Sequence, residues 1–127
     1  MTNLMHKPFW VLAADAPQHL AEFYAQLSGC PLPSPAESGV QRLELPGAGA
    51  LMIYRPSRQR PQPAQPGRMA LALQVPDLEQ AITAALALQG RVIEPPRQES
   101  FGREAWLADP EGNRLLLLEP APYSAAP

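Results

Sequence analysis

Apolar residues first gather at Phe9 and run unbroken to Ala14, a strand-length block rich in aromatic and branched side chains. Asp15 ends the block and stands where a helix cap belongs. Gln18 follows three residues later, as in a capping box, and Pro17 sits where a missing N–H costs nothing. Leu20, Phe23, Tyr24 and Leu27 then recur at helical spacing, and Gly29 supplies a stop. Pro31, Pro33 and Pro35 forbid continuation. From Gln41 to Leu45 polar and apolar positions alternate, which predicts a strand with one wet face. Pro46–Gly49 reads as a turn and Leu51–Tyr54 as a further strand.

The same order then restarts. Met69–Val75 reads as a strand. Asp77 caps a helix with Gln80 three residues on, Leu78, Ile82, Ala85 and Leu86 form its apolar face, and Gly90 ends it. Arg91–Glu94 reads as a strand closed by Pro95-Pro96. Ala105–Ala108 and Arg114–Glu119 form a hairpin around Asp109-Pro110-Glu111-Gly112-Asn113, with proline at the first corner and glycine available for a positive φ. Asp15 matches Asp77, Gln18 matches Gln80, and Gly29 matches Gly90 after one extra residue in the first helix. That is an internal repeat of about half the chain. It predicts an α+β fold of two tandem βαβββ modules. Their mixed sheets curve around a shared cup, with the helices outside.

The chain of 127 residues is expected to be a single domain. Module one spans about 8–54, a linker 55–67, module two about 68–120, and a tail 121–127. The linker is rich in proline, glutamine and arginine and lacks bulky apolar residues, so it reads as extended and solvated. The apolar fraction of 46 % argues against disorder throughout. A net charge of −2 leaves no dominant basic footprint for nucleic acid. No apolar run approaches the roughly 20 residues that span a bilayer, and Met1–Lys7 lacks a signal-peptide core. A soluble, cytoplasmic protein is expected. Cys30, the one cysteine, has no internal disulfide partner and reads as a small inert thiol.

The hairpin Trp106-Leu107-Ala108-Asp109-Pro110-Glu111-Gly112-Asn113-Arg114-Leu115 resembles that of the vicinal oxygen chelate superfamily. This superfamily includes glyoxalase I, extradiol dioxygenases, and the fosfomycin- and bleomycin-resistance proteins. Arg68–Leu73 followed by Val75 and Asp77, and Asp15–Gly29 with Phe23-Tyr24 and Leu27-Ser28-Gly29, strengthen the resemblance, which covers about Phe9 to Pro120. It implies the fold but no particular reaction. Enzymes of the superfamily hold a divalent metal with His, Gln or Glu at four inward-facing strand positions, where nitrogen and oxygen donors leave coordination sites open. Carried onto this sequence, those positions hold Pro8 (with Phe9 beside it), Ala70, Leu116, and a residue within Leu51–Tyr54. None supplies such a donor, so no metal and no cofactor are expected.

Strand alternation places Trp10, Gln74 and Arg114 on the face of those four positions. Tyr54 and Trp106 are further candidates for contact with a ligand. An aromatic plate, an amide and a guanidinium suit a small-molecule site. For Trp10 the competing reading is core packing, and for Arg114 a solvated strand end. His6 reads as part of a solvated terminus and His19 as exposed. Glu119 should point away from the cup, and Asp109 and Glu111 should serve the turn. The expected function is binding or sequestering a small amphipathic or anionic compound, as a homodimer, without nucleic-acid or membrane partners. The alternative is a lyase, isomerase or dioxygenase-like enzyme with an unrecognised or recruited metal site. Whether the protein catalyses anything stays open at this point.

Overall fold

The computed structural model describes residues 7–32, 39–63 and 69–122. The chain forms two compact units, Met1–Ala64 and Gln65–Pro127, whose boundary falls in the proline-rich segment. His6, Pro33 and Pro35 lie outside the described residues.

In the first unit β1 (Phe9–Ala13) leads into α1 (Pro17–Ser28), followed by β2 (Gln41–Leu45) and β3 (Gly49–Tyr54). The sheet order is β1-β3-β2, with β1 parallel and β2 antiparallel to β3. The register sets Leu43 opposite Leu51 and Gln41 opposite Ile53, and opposed residues share a face. All four are buried, and α1 packs over β2 and β3. This is the helix-covered face. α1 contributes Leu20, Phe23, Tyr24 and Leu27 to it, and the Phe23 and Tyr24 rings meet edge to face at 5.1 Å. Burying one such large side chain stabilises the fold by about 1.5–3 kcal/mol.

The second unit runs β4 (Leu71–Gln74), α2 (Leu78–Ala87), β5 (Arg91–Glu99), β6 (Gly102–Ala108) and β7 (Arg114–Pro120). Its sheet order is β4-β7-β6-β5, with β4 parallel to β7 and the remaining pairs antiparallel. Leu107, Leu115, Leu117 and Leu78 are fully buried between sheet and helix. The two units repeat one topology: each first strand lies parallel to its last strand, which pairs antiparallel with the one before. The second is a complete βαβββ module. Among the described residues, the first has no counterpart of β5.

Four sequence expectations change. The residue at the N-cap of α1 is Ala16, one position after Asp15, and it offers no capping side chain. In the second unit Asp77 caps as expected, accepting from the Gln80 N–H at 3.0 Å. The helix ends differ as well. Gly29 takes the left-handed φ of 70°, but after α2 that conformation falls on Gln89 at 68°, not on Gly90. The Cys30 and Gly90 N–H groups then donate to Ala25 and Ala85 in the same way. The repeat therefore aligns Ala16 with Asp77 and Gly29 with Gln89, one residue away from the match suggested by the two Asp-x-x-Gln pairs.

The third change is β5, which runs on to Glu99 through Pro95-Pro96. It is an edge strand, and its register against β6 shifts on either side of Glu94. Irregular edges tolerate a missing ladder N–H, so the prolines bend the strand without ending it. The fourth is the linker, which is not simply extended. Ser57 and Arg60 exchange backbone hydrogen bonds in a tight turn, and the Tyr54 hydroxyl donates to the Pro61 carbonyl at 2.8 Å. Arg55 donates to the Asp15 carbonyl at 2.7 Å.

Candidate functional site

Each sheet has one face under its helix and one face turned away, here called open. In the first unit, Phe9 pairs with Ala50, Val11 with Met52 and Ala13 with Tyr54, while Arg42 pairs with Met52. These residues form the open face, on which Ala50 and Tyr54 are nonetheless buried. Arg42 holds Glu44 at 2.6 Å there. Trp10 pairs with Leu51 and therefore lies on the helix-covered face, not with Tyr54. It stays 46 % exposed because β1 is an edge strand and α1 packs over the other two strands, and its indole N–H donates to the Ala48 carbonyl at 3.3 Å. The one-residue shift of the repeat explains this. Counted back from the true cap, Ala16, the inward position on β1 is Phe9, and Pro8 and Trp10 have the other parity.

In the second unit the open face forms a regular grid. Arg91, Ala108 and Arg114 make one row across β5, β6 and β7. Glu94, Trp106, Leu116 and Ala72 make the next, and Arg97, Glu104, Leu118 and Gln74 the third. The sequence candidates Gln74, Trp106 and Arg114 thus share one face of one sheet, with Trp106 beside Leu116 and diagonal to Arg114. Tyr54 belongs to the other unit, and its hydroxyl is already engaged by Pro61. Sequence reading passed over Arg91, Arg97 and Glu104. Arg97 and Glu104 pair at 2.9 Å, and Arg97 also reaches Glu99 at 2.9 Å. Both carboxylates favour the charged guanidinium and push the Arg97 pKa up. Glu104 was visible only as an alternation partner of Trp106, two residues away on the same strand.

On the helix-covered side, Glu119 shares a face with Leu115 and Leu117 and accepts the Leu78 N–H at 2.8 Å, at the start of α2. The expectation that it points away from the open face holds. Glu119, Asp77 and Glu79 bring carboxylate oxygens within 4.8 Å of one another. Protein donors already serve them: the Gln80 N–H on Asp77, the Leu78 N–H on Glu119, and Arg103, which grips Glu79 through both terminal nitrogens. That grip holds the Glu79 carboxyl below its ordinary range. His19 is half-buried rather than exposed, with Nδ1 3.8 Å from Glu22. Burial raises the Cys30 thiol pKa, which lowers its thiolate fraction at neutral pH.

The divalent-metal set implied by the superfamily does not fit these residues. Phe9, Ala50, Met52, Tyr54, Ala72 and Leu116 occupy the open-face strand positions from which donors would come, and Ala70 has the parity of Ala72. Five of these are hydrocarbon, one is a thioether and one is a phenol. None is the imidazole, amide or carboxylate donor that such a site uses.

A family model described as a glyoxalase-like domain matches residues 10–118. The chain belongs to the glyoxalase-like family. The resemblance read from the hairpin is thereby borne out, together with the α+β, two-module fold. No curated protein matches the chain. Among solved structures, this glyoxalase-like chain is similar to a glyoxalase/bleomycin resistance protein/dioxygenase family enzyme from Burkholderia phytofirmans PsJN. The identity is 15 %, covering 89 % of this chain and 97 % of that one, with a TM-score of 0.72. It is also similar to a glyoxalase/bleomycin resistance protein from Albidiferax ferrireducens T118, at 25 % identity, 92 % and 99 % coverage, and a TM-score of 0.66. A third is TnmS3, an antibiotic binding protein from Streptomyces sp. CB03234, at 21 % identity, 95 % and 100 % coverage, and a TM-score of 0.63. Among the described residues no helix is long and apolar enough to cross a membrane.

Proposed function

We propose that this glyoxalase-like protein binds or sequesters a small amphipathic or anionic compound without a metal, as a homodimer in the cytoplasm. The observation that carries the reading is the open face of the second sheet. Where metal donors would stand it offers alanine and leucine, and around them Trp106, Gln74 and Arg114. Such a surface gains affinity from apolar burial and stacking, and it orients a ligand with a few polar groups. Arg114 orients a carboxylate or another planar anion through paired donors. TnmS3, an antibiotic binding protein, supports small-molecule binding as a use of this fold. An enzymatic reading draws only on enzymes that share the fold, and fold alone does not carry function.

The test is a screen of weakly acidic aromatic and amphipathic compounds by tryptophan fluorescence. Hits are expected to bind wild type, and Arg114→Met is expected to weaken anionic hits by about 1.5–3 kcal/mol while sparing neutral analogues. Hits that bind a Trp106→Leu, Arg114→Met double variant as tightly as wild type would overturn this site. Metal analysis of untagged protein is expected to find no stoichiometric Ni²⁺, Zn²⁺ or Fe²⁺. Tight metal that survives replacement of both His6 and His19 would overturn the metal-free reading.

A further inference from the structure

We propose that Arg91 and Arg114 form a paired clamp for one anion, and that the ligand is an aromatic acid with its anionic group over Ala108 and its ring on Trp106. The proposal rests on the binding reading above and names the ligand class of that site. Arg91 and Arg114 pair with the same residue, Ala108, from β5 and β7, so they flank it in one row of the open face. Two inter-strand spacings put their Cα atoms roughly 10 Å apart, a gap that two extended guanidinium arms close around a shared carboxylate or phosphonate. Ala108 between them is itself fully buried, so the anion is held by the two exposed guanidinium arms and not by a seat on the strand.

Charge sets these two apart from the other arginines of the strands. Arg42, Arg97 and Arg103 hold carboxylates, and Arg55 holds a backbone carbonyl. Among the described residues, Arg91 and Arg114 have no ion pair. A row with two unneutralised cations, in a protein of net charge −2, is not a by-product of general basicity. Their mutual repulsion is relieved when an anion sits between them.

The next row sets what the rest of the ligand must be. Trp106 lies two residues along β6 from Ala108, so about 6.5–7 Å separates the anion site from the ring plate. Leu116 flanks the indole on β7 and Glu94 on β5. Glu94 disfavours a second anion there, while the indole and Leu116 favour an uncharged apolar ring. The spacing suits an arylalkanoate, in which a short chain separates ring and carboxylate, better than a benzoate.

The experiment uses a Trp10→Phe background, in which Trp106 is the sole tryptophan reporter. Its fluorescence is followed on titration with 3-phenylpropionate, 3-phenylpropanamide and benzoate, with far-UV circular dichroism confirming that each variant folds. The expected result is that the acid binds more tightly than the amide or benzoate. Arg91→Met and Arg114→Met should each weaken the acid about tenfold or more, and neither should change binding of the amide. If Arg114→Met weakens the acid but Arg91→Met does not, the clamp is overturned and the single-arginine site stands. If acid and amide bind alike in all variants, the anion site is overturned while binding on the apolar face stands. If none of the three compounds perturbs Trp106 and the broader screen finds no ligand, the binding reading itself falls.

Discussion

Gly102 and Asp109 show how single residues hold the open face in place. Gly102 begins β6 at a φ of 144°, and a methyl group there would collide with the Glu119 carbonyl and approach the Ala121 nitrogen at 2.9 Å. Both neighbours are backbone and cannot step aside. Gly102→Ala is expected to lower stability by about 2–4 kcal/mol through combined strain and overlap, read as a fall in the urea midpoint at constant slope. Asp109 is buried at the head of the β6–β7 hairpin. Its Oδ1 accepts the N–H of Glu111 at 2.8 Å and of Asn113 at 3.0 Å, and its Oδ2 accepts the Asn113 amide at 2.8 Å. Asp109→Ala leaves those donors without their acceptor and is expected to cost about 2–4 kcal/mol. Because Arg114 follows this turn directly, the variant should also weaken anion binding. Unchanged ligand affinity in a destabilised but folded Asp109→Ala protein would show that the turn does not position Arg114.

At the scale of elements, α2 is tethered at its N-terminus by three carboxylates with separate duties. Asp77 caps, Glu119 reaches up from β7 to the Leu78 N–H, and Glu79 reaches down to Arg103 on β6. Asp77→Ala is expected to cost about 1 kcal/mol, the usual value of such a cap. The Glu79–Arg103 link gives a pH signature. The bond to Arg103 lowers the folded-state pKa of Glu79 below its ordinary value of 4.5. Its contribution is therefore present above that value and is lost as pH falls through the lowered folded value. Glu79→Gln should lower stability above about pH 4.5 by the small amount usual for an exposed ion pair and flatten the acid limb below it by the same amount. An acid limb identical to wild type would show that the link adds nothing. The prolines of β5 belong to this scale too. Read locally they end a strand, but the pairing partner β6 and the edge position let the strand pass through them.

At the scale of the molecule, β1 presents Phe9, Trp10 and Val11, 57 %, 46 % and 51 % exposed, along an edge with one sheet neighbour. Consecutive apolar residues exposed on both faces of an edge strand favour pairing with a second copy. Light scattering is expected to give twice the 13.8 kDa chain mass, and Val11→Lys to shift it toward the monomer. A monomer mass at high micromolar concentration would overturn the dimer. Much of the architecture was legible in the chain itself. Hydrophobic period, the Asp77 cap, the glycine after α1 and the Asp-Pro-Glu-Gly-Asn turn are local signals, because each depends on backbone preferences over a few residues. The repeat and the family followed from them, as did the shared facing of Gln74 and Arg114, since alternation along a strand is also local. The facing of Trp10 was not legible. Asp15 and Ala16 are both plausible ends of the first helix, and a one-residue error turns every β1 side chain to the opposite face. The pairing of Arg91 with Arg114 was beyond sequence reading for a different reason. It depends on β5, β6 and β7 lying side by side in a fixed register, and cross-strand neighbours are set by the assembled sheet, not by spacing along the chain.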